Sequence, residues 1–120
     1  MKLRESSIQS AVIAHWRALG YPDTLVAAIP NARAFGQAGL TKGLPDLMVI
    51  GGKVVPVGFI ELKAAKGAER PEQAAIRRLC TAHGVPCVLT RGLDEPITIL
   101  EQWGVVRPRS RSVLPTAEAA

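Results

Sequence analysis

Aromatic residues are scarce in this chain, and long apolar runs are missing from it. Two Trp, one Tyr and two Phe are its only aromatic residues, 4% of the 120 positions. No apolar run approaches the roughly 20 residues that a membrane-spanning helix needs. The charged N-terminus also lacks the apolar segment of a signal peptide. These absences predict a cytoplasmic protein with no membrane partner.

Cysteine is equally rare. Cys80 and Cys87 are the only two, too few to suggest a disulfide scaffold. With His83 they form a Cys-x2-His-x3-Cys pattern. A structural zinc site needs four tetrahedral ligands, and no fourth soft ligand lies nearby in the sequence. We therefore interpret both cysteines as core residues, one on an apolar helical stripe and one in a strand.

The totals are those of a small basic domain. At 120 residues, with 48% hydrophobic and 21% charged positions, the chain can form one core but not two. A net charge of +5 favours polyanionic partners such as nucleic acid. From Val106 onward arginines alternate with other residues and apolar content falls. This pattern predicts a folded domain over 1–105 and a flexible basic tail over 106–120.

The most informative part of the sequence is a pair of short apolar runs, 47–50 and 57–60, bounded by Gly or Pro. Both are rich in β-branched residues and predict two strands of one sheet. If the strands pair as an antiparallel hairpin, Asp46 lies opposite Glu61. Because side chains alternate along a strand, Glu61 and Lys63 share a face. The pattern therefore brings two carboxylates and one ammonium to one patch.

Two carboxylates on adjacent strands can hold a magnesium ion, which prefers oxygen ligands and keeps several waters. Such an ion polarises a phosphoryl group and lowers the pKa of a bound water. Lys63 can orient that water or stabilise charge on the phosphorane. The alternative interpretation is an ordinary hairpin in which Asp46, Glu61 and Lys63 are solvated residues at strand ends.

Two segments and one later residue stand out as an ordered set: Gly43-Leu44-Pro45-Asp46-Leu47, Phe59-Ile60-Glu61-Leu62-Lys63 and Gln73. Together they resemble the signature of PD-(D/E)XK nucleases, and more narrowly of the VRR-NUC family. The resemblance covers roughly residues 5–92.

The resemblance implies a role for each matching position. Asp46 and Glu61 would be metal ligands, the Leu62 carbonyl a further ligand, and Lys63 the catalytic lysine. Glu5 and Gln73 match the accessory catalytic positions. Mg²⁺ would be the cofactor, with Mn²⁺ as the alternative ion, and no organic cofactor is implied.

Periodicity along the chain predicts a helix, three strands, a helix, a strand and a last helix. Ser6 or Ser7 can cap the first helix, and Gly20 ends it. The remaining predicted elements cover residues 24–29, 71–83, 85–90 and 94–103. This order predicts an α/β fold with a mixed central sheet flanked by helices. It also matches the restriction-endonuclease-like αβββαβ core that the resemblance implies.

Cations near the predicted site are candidates for nucleic-acid contacts. Residues 30–43 form a long connector that leads into Asp46, and long connectors in small domains are often functional. Its Arg33 and Lys42 are predicted to bind phosphates, as are Lys66 and Arg70 in the loop after the second hairpin strand. Phe35 is predicted to pin the connector.

These observations predict a metal-dependent DNA endonuclease that hydrolyses phosphodiesters. The resemblance ranks branched DNA first, as for a Holliday junction resolvase, with nicking or flap cleavage next. The alternative is a catalytically idle nucleic-acid-binding module. Paired cuts need two sites, which favours a two-fold homodimer. Its predicted exposed contacts are Trp103, Val105 and Val106, or the first-helix residues Ala14 and Ala18.

Overall fold

The computed structural model describes residues 4–30 and 38–109, and three helices and four strands lie within them. In chain order these are α1 (Glu5–Leu19), β1 (Leu25–Ala28), β2 (Leu47–Ile50), β3 (Val57–Lys63), α2 (Pro71–Ala82), β4 (Cys87–Arg91) and α3 (Asp94–Gln102). The predicted α/β class and order of elements are confirmed. None of these described helices is long and apolar enough to cross a bilayer.

The four strands form one mixed sheet in the order β1-β2-β3-β4. The first three strands are antiparallel neighbours, whereas β4 runs parallel to β3. The parallel pair is joined through α2, the crossover connection that parallel strands require. In the β2–β3 hairpin, Leu47 is paired with Ile60. The preceding residue, Asp46, therefore lies opposite Glu61.

The two faces of the sheet carry different kinds of side chain. One face carries the apolar core, on which α1 and α3 pack. Its central members are fully or almost fully buried: Ile8, Val12, Val26, Leu47, Val49, Ile60, Leu62 and Leu100. The side chains of Glu61 and Lys63 alternate with Ile60 and Leu62 along β3, so they lie on the other face. A hydrogen bond from α2 reaches Glu61 there.

Both ends of α1 differ in detail from the prediction. The helix begins at Glu5 after Arg4, and no side chain caps it, so the prediction of a Ser6 or Ser7 cap was wrong. Gly20 ends the helix as predicted, but with a φ of −66°. A Cβ at Gly20 would lie 2.6 Å from the Trp16 carbonyl oxygen. Glycine is therefore needed for close approach and not for a left-handed conformation.

The segment after α3 belongs to the core. Trp103, Val105 and Val106 are 7%, 0% and 1% exposed, so the prediction that they form an exposed dimer contact was wrong. The indole of Trp103 packs directly over Gly58 of β3. Close packing against a glycine in another element is not visible in sequence periodicity.

The first residues of the predicted tail are also attached to the domain. Val106 bridges Gly20, and Arg109 pairs with Asp94 at 2.6 Å and with Glu101 at 2.9 Å. The predicted boundary at residue 106 therefore lies too early. Residues 110–120 fall outside the described part of the chain, and their flexibility stays a prediction.

We expect Gly58→Ala to destabilise the fold by about 1–3 kcal/mol, the usual cost of overpacking a core. The added Cβ would lie 2.6 Å from Trp103 Cζ3. Urea unfolding measures the loss. The Gly58→Ala/Trp103→Phe double variant should lose less stability than the two single variants lose together, because the smaller ring makes room for the added Cβ. Strict additivity would contradict this packing.

Candidate active site

Asp46 is fixed at the point where the chain enters β2. Pro45 before it is buried. One carboxylate oxygen of Asp46, Oδ2, accepts a hydrogen bond from the backbone N–H of Leu62 at 2.6 Å. This bond joins the start of β2 to the end of β3 and holds the Asp46 carboxylate beside Glu61.

Glu61 is the most perturbed group at this site. It is 4% exposed. Its pKa is raised to about 8, first by burial and then by the negative charge of Asp46, while Lys63 opposes the rise and Glu5 adds to it. Burial and the Asp46 carboxylate, which lies within hydrogen-bond reach, therefore favour the protonated form of Glu61.

Lys63 lies on the same face, two residues further along β3. It is 3% exposed, and its Nζ is 3.7 Å from Glu61 Oε2. The loop that follows passes over its aliphatic part at Gly67. A buried ammonium beside two carboxylates is held in place and is shielded from bulk solvent.

Gln73 connects α2 to Glu61. Its Nε2 donates to Glu61 Oε2 at 2.8 Å, and its Oε1 accepts from the backbone N–H of Arg70 at 2.9 Å. The second bond fixes which side of the amide faces the carboxylate. Gln73 therefore positions Glu61 and links it to the first turn of α2.

The connector before Asp46 rests on that same turn. Gly43 has a φ of +91°, and a Cβ there would lie 2.6 Å from the backbone of Glu72. Such a close approach in a left-handed conformation requires glycine. It places Lys42, the preceding residue, near the start of α2.

The predicted phosphate-binding residues have different outcomes. Lys42, Lys66 and Arg70 are exposed in the two loops that adjoin the site. Arg33 and Phe35 lie outside the described residues. Three of the four predicted cations thus lie on the two loops that adjoin the site, and their role stays a prediction.

The outer face of α2 carries an exposed leucine and an ion pair. Leu79 is 56% exposed. Arg77 donates two hydrogen bonds to Glu69, both at 2.8 Å. This pair fastens the loop after β3 to α2. Beneath the helix, burial and the neighbouring Cys80 raise the pKa of the Cys87 thiol to about 12.

Two solved structures share this architecture. The chain aligns with a structure named "VRR_NUC domain protein" at a TM-score of 0.74, with 22% identity, over 89% of this chain and 98% of that one. The chain has the VRR_NUC fold. A second structure, named "VRR_NUC domain", aligns at a TM-score of 0.59 with 21% identity, over 82% and 94% of the two chains. No protein-family model and no curated protein matches the sequence.

On this VRR_NUC fold, Asp46 and Glu61 form an oxygen donor set suited to magnesium. Mg²⁺ typically takes one or two protein carboxylates and keeps waters in its other positions. Within residues 4–30 and 38–109, no three His, Cys, Asp or Glu side chains are grouped as metal ligands would be. Glu5, the exposed first residue of α1, contributes charge. A divalent cation between the two carboxylates would compensate the negative charge that raises the pKa of Glu61.

Two residues that sequence reasoning missed support this site from β4. Thr90 Oγ1 donates to the Glu61 carbonyl at 3.2 Å. Arg91 is paired in register with Lys63, and its guanidinium donates to the Gly67 carbonyl. Arg91 therefore holds the loop that covers Lys63. The sequence signal for Arg91 was its position as a cation at the carboxyl end of β4, the strand that runs parallel to β3.

Proposed function

We propose that this chain is a magnesium-dependent nuclease of the VRR-NUC family. The observation that carries the proposal is the group formed by half-buried Asp46 with buried Glu61 and Lys63. The Leu62 N–H holds Asp46 at 2.6 Å, and Lys63 Nζ stands 3.7 Å from Glu61. Burying Glu61 beside the Asp46 carboxylate raises the pKa of Glu61, and this destabilises the fold at neutral pH. Perturbed groups of this kind cluster at functional sites.

Each side chain has a role that follows from its contacts. Asp46 and Glu61 would hold the ion, with the Leu62 carbonyl as a further ligand. A bound Mg²⁺ supplies Lewis-acid polarisation of a phosphoryl oxygen and a more acidic water. Lys63, the buried cation at the site, stabilises negative charge on the phosphorane or orients the attacking water. Gln73 keeps Glu61 in place through its 2.8 Å bond.

The exposed cations Lys42, Lys66 and Arg70, and also Arg33, would bind phosphates on either side of the scissile bond. Contacts to phosphates position a nucleic acid but carry no sequence information. This favours selection by the structure of the substrate over selection by its sequence.

Branched DNA is our first choice of substrate, cut by a two-fold homodimer. One chain offers one carboxylate pair, whereas resolving a four-way junction needs two incisions on symmetry-related strands. A two-fold dimer is the commonest way to place two identical sites at a fixed separation. Ala14 and Ala18 are exposed on α1 and stay available for such a contact.

A cleavage panel tests the proposal. Labelled duplex, flap, fork and four-way junction are incubated with the protein, with and without Mg²⁺, and light scattering gives its oligomeric state. We expect cleavage that depends on the ion and is fastest on the junction. Binding without cleavage of any member would indicate an idle module. A monomer that cuts flaps and ignores junctions would refute the substrate and the dimer together.

The raised pKa of Glu61 predicts how stability changes with pH. Between its ordinary value of 4.5 and about 8, the folded protein holds a proton that the unfolded chain releases. The free energy of unfolding should therefore fall as pH rises through this window, by up to about 1.4 kcal/mol per unit.

A bound divalent cation requires both carboxylates to be ionised, so Mg²⁺ should raise the melting temperature more at pH about 8.5 than at about 6. Thermal unfolding at both values, with Mg²⁺ or EDTA, checks this. The Glu61→Gln variant serves as the control and should show neither dependence. An Mg²⁺ effect that is equal at the two pH values would contradict the shared proton.

A further inference from the structure

Two cations meet on one aromatic ring at the end of β3 that lies away from Lys63. Lys53 Nζ is 4.5 Å from the centroid of the Tyr21 ring, and Arg107 Cζ is 4.9 Å from it. The three residues come from the turn after α1, the β2–β3 connection and the segment after α3. The fold therefore assembles this cluster from distant parts of the chain.

Backbone hydrogen bonds join Lys53 and Tyr21 to segment 104–107, which carries Arg107. The N–H of Lys53 donates to the Gly104 carbonyl at 3.4 Å, and the N–H of Tyr21 donates to the Val105 carbonyl at 2.9 Å. The N–H of Arg107 donates to the Leu19 carbonyl at 2.8 Å. Because Val105 is fully buried in the core, the cluster stands on a rigid base.

The charge of this cluster is not compensated within residues 4–30 and 38–109. Lys53 and Arg107 are exposed, and neither forms an ion pair there. Arg107 Nη1 donates to the Gly20 carbonyl at 2.7 Å, which leaves donors of its guanidinium available. Asp23, the acidic residue nearest to Tyr21 in the sequence, pairs with neither cation. The two charges lie within about 10 Å of each other, one Debye length at 0.1 M salt.

We propose that Lys53 and Arg107 bind a backbone phosphate of the nucleic acid, at a second site remote from the carboxylate pair. This inference rests on the proposed function. Cations that converge without a carboxylate attract an anion, and the tetrahedral oxygens of phosphate accept from ammonium and guanidinium together. Tyr21 orients the cations by cation–π attraction, so its ring is not offered to a base.

The spacing fits a continuous or branched substrate. The two ends of β3, Val57 beside this cluster and Lys63 at the carboxylate pair, are six steps apart, or about 20 Å at a rise of about 3.3 Å each. That distance corresponds to about six base pairs of duplex at 3.4 Å each. The second site would therefore hold an arm of the substrate beyond the cleaved bond and would not read its sequence.

Fluorescence anisotropy with a labelled duplex of about 20 base pairs, in EDTA across a range of salt concentrations, tests the site. One phosphate contact contributes about 0.9 to the slope of log affinity against log salt. We expect Lys53→Ala to lower the slope by about that amount, and Lys53→Arg to restore it. Tyr21→Phe keeps the ring and should leave the slope unchanged. Lys42→Ala serves as the reference at the catalytic end.

The outcomes separate this inference from the proposed function. If Lys42→Ala lowers the slope and Lys53→Ala does not, the second site is wrong and the nuclease proposal stands. If Lys53→Ala lowers the slope but the wild type cleaves nothing with Mg²⁺, the second site stands and the nuclease proposal fails. With cleavage present, Lys53→Ala should raise KM and leave kcat unchanged. Wild-type protein that binds no duplex overturns both.

Discussion

Asp46→Asn and Glu61→Gln should each lower metal-dependent cleavage by on the order of 10³-fold, the scale seen when a preorganised charge-stabilising group is lost. Each change removes one negative charge from the oxygen donor set and preserves the shape of the side chain. The amide oxygen introduced by Asp46→Asn can still accept from the Leu62 N–H, and the one introduced by Glu61→Gln can still accept from Gln73. Single-turnover cleavage at saturating Mg²⁺ measures the loss.

Stability distinguishes this result from unfolding. Because folded Glu61 keeps a proton that the unfolded chain releases above about pH 4.5, Glu61→Gln should match the wild type in stability near pH 4 and be more stable than it at neutral pH and above, without metal. Asp23→Asn, in an exposed turn where the backbone φ is +63°, is a matched control and should retain full activity. Near wild-type cleavage by both site variants would refute the assignment.

Lys63→Met should reduce kcat by about 10²–10³-fold and leave nucleic-acid affinity almost unchanged. Lys63 is 3% exposed, so it adds little to the outer electrostatic surface that attracts a polyanion. Its ammonium lies 3.7 Å from Glu61, so its charge should act inside the site and not at the outer surface. Methionine keeps the length of the side chain and removes its charge.

Lys66→Met provides the matched control for Lys63, because Lys66 is exposed in the next loop. It should weaken binding and leave kcat close to the wild-type value. Binding titrations and single-turnover rates, measured on one substrate, separate the two effects. If Lys63→Met lost affinity and kept its turnover, Lys63 would be a binding residue and not a catalytic one.

The sequence predicted the features of this fold that follow from local periodicity. The alternation in β3 placed Glu61 and Lys63 on one face, and the short Gly- and Pro-bounded connector gave an antiparallel hairpin with Asp46 opposite Glu61. Helical spacing from Pro71 gave an α2 that carries Gln73 in its first turn. In each case the decisive neighbours are close in sequence or are related by a fixed period.

The missed features depend on contacts between distant segments. Trp103 is buried because Gly58 leaves room for its indole, and Val106 is buried because it bridges Gly20. Arg91 reaches the site only because β4 pairs with β3 in parallel register. Hydrophobicity alone could not separate a core tryptophan after a helix from an exposed interface residue.

Anomalous diffraction from crystals grown with Mn²⁺ would test the central claim most directly. The account predicts a manganese peak between Asp46 and Glu61, about 2.1 Å from an oxygen of each carboxylate, as for a hard divalent cation. The same crystals of the Glu61→Gln variant should lack the peak. No wild-type peak at these two carboxylates, with Asp46 and Glu61 still sharing their hydrogen bond at saturating Mn²⁺, would contradict the account.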